Sequence, residues 1–203
     1  MSTVQISKYI VGPIKTNEYL VYDTENLIGI VIDPGAESES IHNDIKRLGL
    51  DIKYIILTHG HGDHTGGIDQ MKSMYPDIKL IANKKERNFL FDRDKSMGKG
   101  GYVADIYVSD NDSLSIGNIS LKFIDTPGHT PGGMCILMDK VLFSGDSLFF
   151  GSIGRTDLPG GNEEQLIESI KNKILVLDDD VKVFPGHMQE TSIGFERSFN
   201  PFV

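Results

Sequence analysis

The chain has 203 residues, formal net charge -9 and a pI near 5.1, with 39% hydrophobic residues. That length supports one sizeable α/β core, read as a single domain over residues 1–203. The acidic balance shows no basic stripe and excludes a nucleic-acid binder such as a nuclease. One cysteine, Cys135, excludes a disulfide framework and fits a reducing compartment. The opening "MSTVQISKYIVGPIKTNEYL" lacks a signal-peptide pattern, and no apolar run reaches spanning length. A cytoplasmic protein with no membrane partner is the expectation.

In chain order, "VQISKYIV", "EYLVYD" and "IGIVID" read as short strands, with "DPG" at Asp33–Gly35 as a turn. "SESIHNDIKRLGL" places Ile41, Ile45 and Leu48 at helical spacing, with Gly49 as a stop. His42 on that helix is expected to be solvated and without function. "IKYIIL" reads as a buried strand, followed by a helix from near Gly67 with Ile68, Met71 and Met74 on one face, then the strand "IKLIA". Residues 84–105 are charged and then glycine-rich, which suggests a surface helix and a mobile loop. "ISLKFID", "GMCILMD" and "KVLFSGD" are strand-like, "EEQLIESIKNKILVL" helical, and "VKVF" a last strand. Two β-rich halves with helices predict two sheets packed face to face and covered outside by helices.

"LTHGHGDHTGG", Leu57 to Gly67, holds three of the six histidines. His59, His61, Asp63 and His64 follow directly on a strand, and imidazole with carboxylate suits divalent metals at about 2.0–2.2 Å. Gly60 and Gly62 are expected to permit tight bends through positive φ. A histidine-rich polar loop would explain one such residue, not H-x-H-x-D-H. His129 in "DTPGHTPGG", Asp146 in "FSGDSLF" and His187 in "FPGHMQ" lie in similar strand-then-turn settings.

Five His and two Asp exceed one catalytic metal, which needs three protein ligands and an open position. They suit two divalent ions sharing a carboxylate: His59, His61 and His129 on one, Asp63, His64 and His187 on the other, Asp146 between. Two such ions about 3.5–4 Å apart can hold a hydroxide between them near neutral pH. Zinc is the first choice, with iron or manganese as alternatives.

"THGHGDH", with His129, Asp146, His187 and the early "VIDPG", resembles the metallo-β-lactamase superfamily and its four-layer αββα sandwich. "GDSLFFGSIGRTDLPGG" and "PGHMQETSIGFERSFNPF" are similar to short bacterial glyoxalase II-type hydrolases, the hydroxyacylglutathione hydrolases. The resemblance implies the same seven ligands, and implies that Asp33 hydrogen-bonds a ligand histidine; a plain turn-former in "DPG" is the competing reading. The expected activity is hydrolysis of a small acyl thioester or ester by a metal-bridging hydroxide, with Asp63 or Asp146 managing the proton.

"GDSL" at Gly145–Leu148 also matches the label of a serine-esterase family, but here Asp146 reads as a ligand and Ser147 as a turn residue. Cys135, in an apolar run, reads as a small hydrophobe. Arg155 in "GRTD" could bind a substrate carboxylate; an Arg155–Asp157 pair bracing the ligand loop is favoured. Lys84, Lys85, Arg93, Lys95 and Lys99 read as solvated. A mononuclear iron persulfide dioxygenase is the rival enzyme, and a non-catalytic structural metal domain the rival outside enzymes. Only sixteen residues follow His187, against the helical extension of classical glyoxalase II enzymes, so a thiol other than glutathione is a further expectation.

Overall fold

The computed structural model describes residues 3–203. Six strands form the first sheet in the order β1 (Val4–Val11), β2 (Thr16–Asp23), β3 (Ile28–Ile32), β4 (Asp51–Ile56), β5 (Lys79–Asn83), β6 (Ile106–Val108). Its first three strands are antiparallel and the rest parallel. The second sheet contains β7 (Ser113–Ile116), β8 (Ile119–Asp125), β9 (Met134–Met138) and β10 (Val141–Gly145). A small hairpin, β11 (Leu148–Phe149) with β12 (Ser152–Ile153), follows β10. The second sheet is completed by β13 (Lys182–Pro185), parallel to β10, and β14 (Thr191–Ser192) at the edge.

Three layers of apolar contact make the sandwich. Tyr19, Ile30, Ile32, Ile56, Phe123 and Phe143 meet between the sheets. Val31 and Ile55, one residue out of phase, face the helices α1 (Glu39–Leu48) and α3 (Ile68–Met74). A strand covered on both faces cannot alternate apolar with polar, which is why "IGIVI" is apolar throughout. On the far side, α6 (Glu163–Ser169), extended by a π-helical turn at Ile170–Ile174, buries Leu166, Ile170 and Ile174 against Leu142 and Val183. The αββα sandwich expected from the sequence is the observed fold.

Four local expectations are corrected. His42 is only 6% exposed, because it shares the buried arc of α1 with Ile41 and Ile45; its Nδ1 lies 3.1 Å from the Tyr75 hydroxyl. Met74 is 50% exposed, since three residues past Met71 it has turned off the face of Ile68 and Met71. Residues 84–105 are anchored: a 3₁₀ turn (Lys84–Glu86), α4 (Arg87–Phe91) and α5 (Arg93–Ser96) bury Glu86, Phe89 and Leu90. The backbone carrying Asp63 and His64, expected as tight bends at Gly60 and Gly62, is a helical turn, α2 (Gly62–Thr65). The edge pieces β6, β7, β11, β12 and β14, and α7 (Ile193–Phe199), had no clear sequence signal.

Candidate metal centre

All seven sequence-predicted side chains converge beyond strand ends. β4 delivers His59 and His61, α2 carries Asp63 and His64, the turn after β8 carries His129, and β10 and β13 lead into Asp146 and His187. One ligand atom each from His59, His61 and His129 lie within 4.8 Å of one another, as do those of Asp63, His64 and His187. His129 Nε2 is 2.9 Å from His61 Nδ1 and 3.3 Å from His59 Nε2. In the second group Asp63 Oδ2 lies 3.0 Å from His187 Nε2 and 3.3 Å from His64 Nε2. Asp146 stands between the groups, with Oδ1 3.4 Å from His64 Nε2 and Oδ2 3.6 Å from the Nε2 atoms of both His129 and His187.

The rings are aimed from behind. His129 Nδ1 donates to the Arg155 carbonyl at 2.7 Å, which leaves its Nε2 lone pair turned toward the cluster. His64 Nδ1 donates to Asp33 Oδ2 at 2.9 Å. Asp33 also accepts from the Thr58 amide (2.7 Å) and hydroxyl (2.6 Å). Asp33, His59 and His64 also fall within 4.8 Å of one another. The oxygens of Asp33 are already engaged by these donors, so its contact to His64 is that of an orienting partner. At Arg155 the paired reading holds in form: its guanidinium meets Asp157 through two bonds of 2.7 Å. That pair is exposed, and the brace on His129 comes from the Arg155 backbone instead.

Electrostatics favour a cation here. Burial, helped by neighbouring imidazoles, drives His59 well below its usual range and brings His61 down to about 4, so both are neutral donors of lone pairs. Burial opposes charge on His64 too, yet the Asp146 and Asp33 carboxylates raise it well above the ordinary value. Burial would raise Asp63, but hydrogen bonds from His187 and His64 hold it far below the carboxylate range. A proton on His64 thus offsets a cluster of carboxylates that a divalent cation would offset directly. His64 Nε2 and Asp146 Oδ1, both buried, have no hydrogen-bond partner. A buried imidazole nitrogen and a buried carboxylate oxygen that face each other without a hydrogen bond fit a cation, which would take the place of the His64 proton.

Gly60 and Gly62 are needed, but not for positive φ, which neither adopts. They are needed for close approach. A Cβ on Gly62 would lie 2.6 Å from Gly98 Cα, and one on Gly60 2.8 Å from Glu86 Oε2. Glu86 has no sequence signal amid its charged neighbours, yet it is buried and ties two ligand loops together. Its Oε2 accepts from the Gly60 amide at 2.8 Å and its Oε1 from the Gly132 amide at 2.7 Å. Thr58 and Asn17 were also missed; Asn17 Nδ2 and the Tyr19 hydroxyl donate to the Pro185 carbonyl at 2.9 and 2.7 Å, just ahead of His187. Cys135 is fully buried with its thiol pushed up to about 11 by burial, and the Ser147 hydroxyl lies 2.7 Å from that of Thr126. Neither is an available nucleophile.

A buried two-lobed cluster of this kind at one end of an αββα sandwich defines a metal-site protein of the metallo-hydrolase class. The metallo-beta-lactamase superfamily model matches residues 11–187, and the chain belongs to that superfamily. It is 37% identical to hydroxyacylglutathione hydrolase GloC of Haemophilus influenzae, covering 91% of both chains. Its structure is similar to that of the BLEG-1 B3 metallo-beta-lactamase, with TM-score 0.89, 38% identity and 98% and 99% of the two chains covered. It is also similar to TTHA1623 in a di-iron-bound form, with TM-score 0.85, 29% identity and 97% and 100% covered. The superfamily binds metal ions and its hydrolases act on small molecules. Among the described residues no helix is long and apolar enough to cross a membrane.

Proposed function

We propose that residues 1–203, acting as one domain in the cytoplasm, form a binuclear metal-dependent hydrolase of small acyl thioesters or esters, glyoxalase II-like in its chemistry. His59, His61 and His129 would hold one divalent ion and Asp63, His64 and His187 the other, with Asp146 shared. The observation that carries this reading is the position of Asp146, within 3.4–3.6 Å of ring nitrogens from both groups. Zinc is the proposed metal, with iron or manganese able to use the same nitrogen and oxygen donors. When bound, such ions supply Lewis acidity toward a carbonyl oxygen and lower the pKa of water.

The protein's own residues do the rest. Asp33 and the Arg155 carbonyl fix His64 and His129 in orientation, so little reorganisation accompanies the reaction. Asp63, partly open to the cleft and ionised, is placed to accept a proton from an attacking water and pass it to the leaving group. Asp146 is the second carboxylate in reach of that proton. No serine or cysteine is required, in keeping with the sequestered Ser147 and Cys135.

Metal analysis of protein from its native host, with a thioester and ester panel, tests this. Two ions per chain and thioester or ester turnover are expected. One iron per chain with oxygen uptake on glutathione persulfide would replace it with the dioxygenase. Metal-dependent folding without turnover would leave a structural metal domain.

A further inference from the structure

The cleft over the metal-ligand cluster holds about 630 Å³. Beyond the ligands themselves its wall is mostly apolar: Ile14, Met97, Phe149, Ile153, Leu158 and Met188. Three of these are large hydrophobics left in solvent, Ile14 at 59%, Met97 at 61% and Met188 at 56%. They come from three separate segments: the β1–β2 turn, the residue after α5, and the residue after His187. Met97 and Met188 sit at φ of +53° and +69°, a region where a bulky side chain is uncommon. Such outliers concentrate at functional sites because the surroundings must hold them there. The Met97 loop is held by the Gly62–Gly98 contact, which fixes its distance from the ligands.

Charge in the cleft is matched internally. Among the described residues Arg155 is the one Lys or Arg lining it, and Asp157 occupies the Nε–Nη2 edge of its guanidinium through both carboxylate oxygens. Ile14 and Met188 also line an adjoining groove of about 430 Å³ with the exposed Ile10; Lys8, paired with Glu190, and Lys15 stand at its wall. A contiguous apolar surface open to water at a functional site marks a place for an apolar ligand.

We propose that the Ile14–Met97–Met188 strip binds a linear apolar carbon chain of the substrate, so that the protein selects acyl thioesters or esters with medium-length hydrocarbon chains over short hydroxyacyl groups on a charged peptide thiol. The reaction named rests on the hydrolase reading; the binding strip does not.

The test has two arms on metal-loaded protein. In the first, calorimetry follows binding of inert S-alkyl-N-acetylcysteamine thioethers from ethyl to octyl. Kd should fall about threefold to fourfold per methylene, the factor expected for burying each CH₂. Ile14→Ser and Met188→Ser, both exposed positions, should flatten that gradient, while Val176→Ser, exposed outside the cleft, should keep it. In the second arm, kcat/KM for acyl-N-acetylcysteamine thioesters should rise with chain length and exceed that for S-lactoylglutathione. A flat Kd series, serine variants that retain the gradient, or preference for S-lactoylglutathione would overturn the proposal. Turnover with a flat series would sink the strip and spare the hydrolase; a steep binding series without turnover of any ester would do the reverse.

Discussion

His64 and Asp33 are joined by a 2.9 Å bond between Nδ1 and Oδ2, both side chains almost wholly buried and thirty-one residues apart in sequence. The bond links the end of β3 to α2 and sets the direction of the His64 Nε2 lone pair. Asp33 adopts φ of +51°, an uncommon backbone state for a residue other than glycine, and three donors converge on its carboxylate.

Asp33→Asn should therefore weaken metal binding without abolishing the fold. Asn offers one acceptor where the carboxylate offers two, so either Thr58 or His64 loses its partner. Removal of such an orienting group costs about 10–100-fold in metal affinity. Competition against a chromophoric chelator measures this directly. An unchanged affinity would show that Asp33 is only the turn-former of "DPG".

Asp146→Asn should act differently, because Asp146 reaches both groups and not one. The variant removes the negative charge between them, and the expected outcome is a stoichiometry falling from two ions toward one per chain. Hydrolysis should drop by at least about 100-fold, in the range of losing one strong electrostatic contact in the transition state. Inductively coupled plasma mass spectrometry and the thioester assay together check it. Two retained ions with near-normal rate would remove Asp146 from the bridging role.

The convergence of the seven candidate ligand residues was legible because their spacing is local: four of seven lie within His59–His64, and the others each follow a recognisable strand. The sandwich was legible for a similar reason, since strands covered on both faces read as continuous apolar runs. What stayed hidden is set by partners distant in sequence. Glu86 looks like any surface acid among Lys84, Lys85 and Arg87, and only the folded chain brings it against Gly60 and Gly132. His42 looks solvated until Tyr75 arrives beside it. Gly62 signalled a constraint, but its cause was the neighbouring Gly98 backbone and not its own φ.

Glu86→Gln should loosen the tie between the two ligand loops. Each Glu86 oxygen accepts one backbone N–H, and a glutamine must turn its NH₂ group toward one of those donors. Leaving a buried amide unpaired costs about 1–3 kcal/mol. Urea midpoints of the metal-loaded proteins should differ accordingly, with a weakened site on the His59, His61 and His129 side as the second sign. Equal midpoints and equal metal affinity would make Glu86 a passenger.

Glu18 supplies a pH prediction away from the ligands. It lies buried in β2 with Oε2 unpartnered, and burial, reinforced by the Asp33 carboxylate, raises it from 4.5 to about 8. The folded protein thus favours the neutral acid, and the unfolded chain ionises first. Stability from Glu18 is fully present below its unfolded value and is lost as pH rises through that of the folded state. Glu18→Gln mimics the neutral form at every pH and should remove this slope. The unfolding free energy of the variant, minus that of the natural chain, should therefore grow between pH 5 and 8. One proton held by the folded state alone is worth about 1.4 kcal/mol for each pH step of one, so the growth is on the order of a few kcal/mol. Denaturant titrations of both proteins at the two pH values give the difference directly, and taking the difference cancels titration of the groups they share. A difference that stays constant with pH would mean that Glu18 is ionised in the folded protein, with a compensating partner beside it.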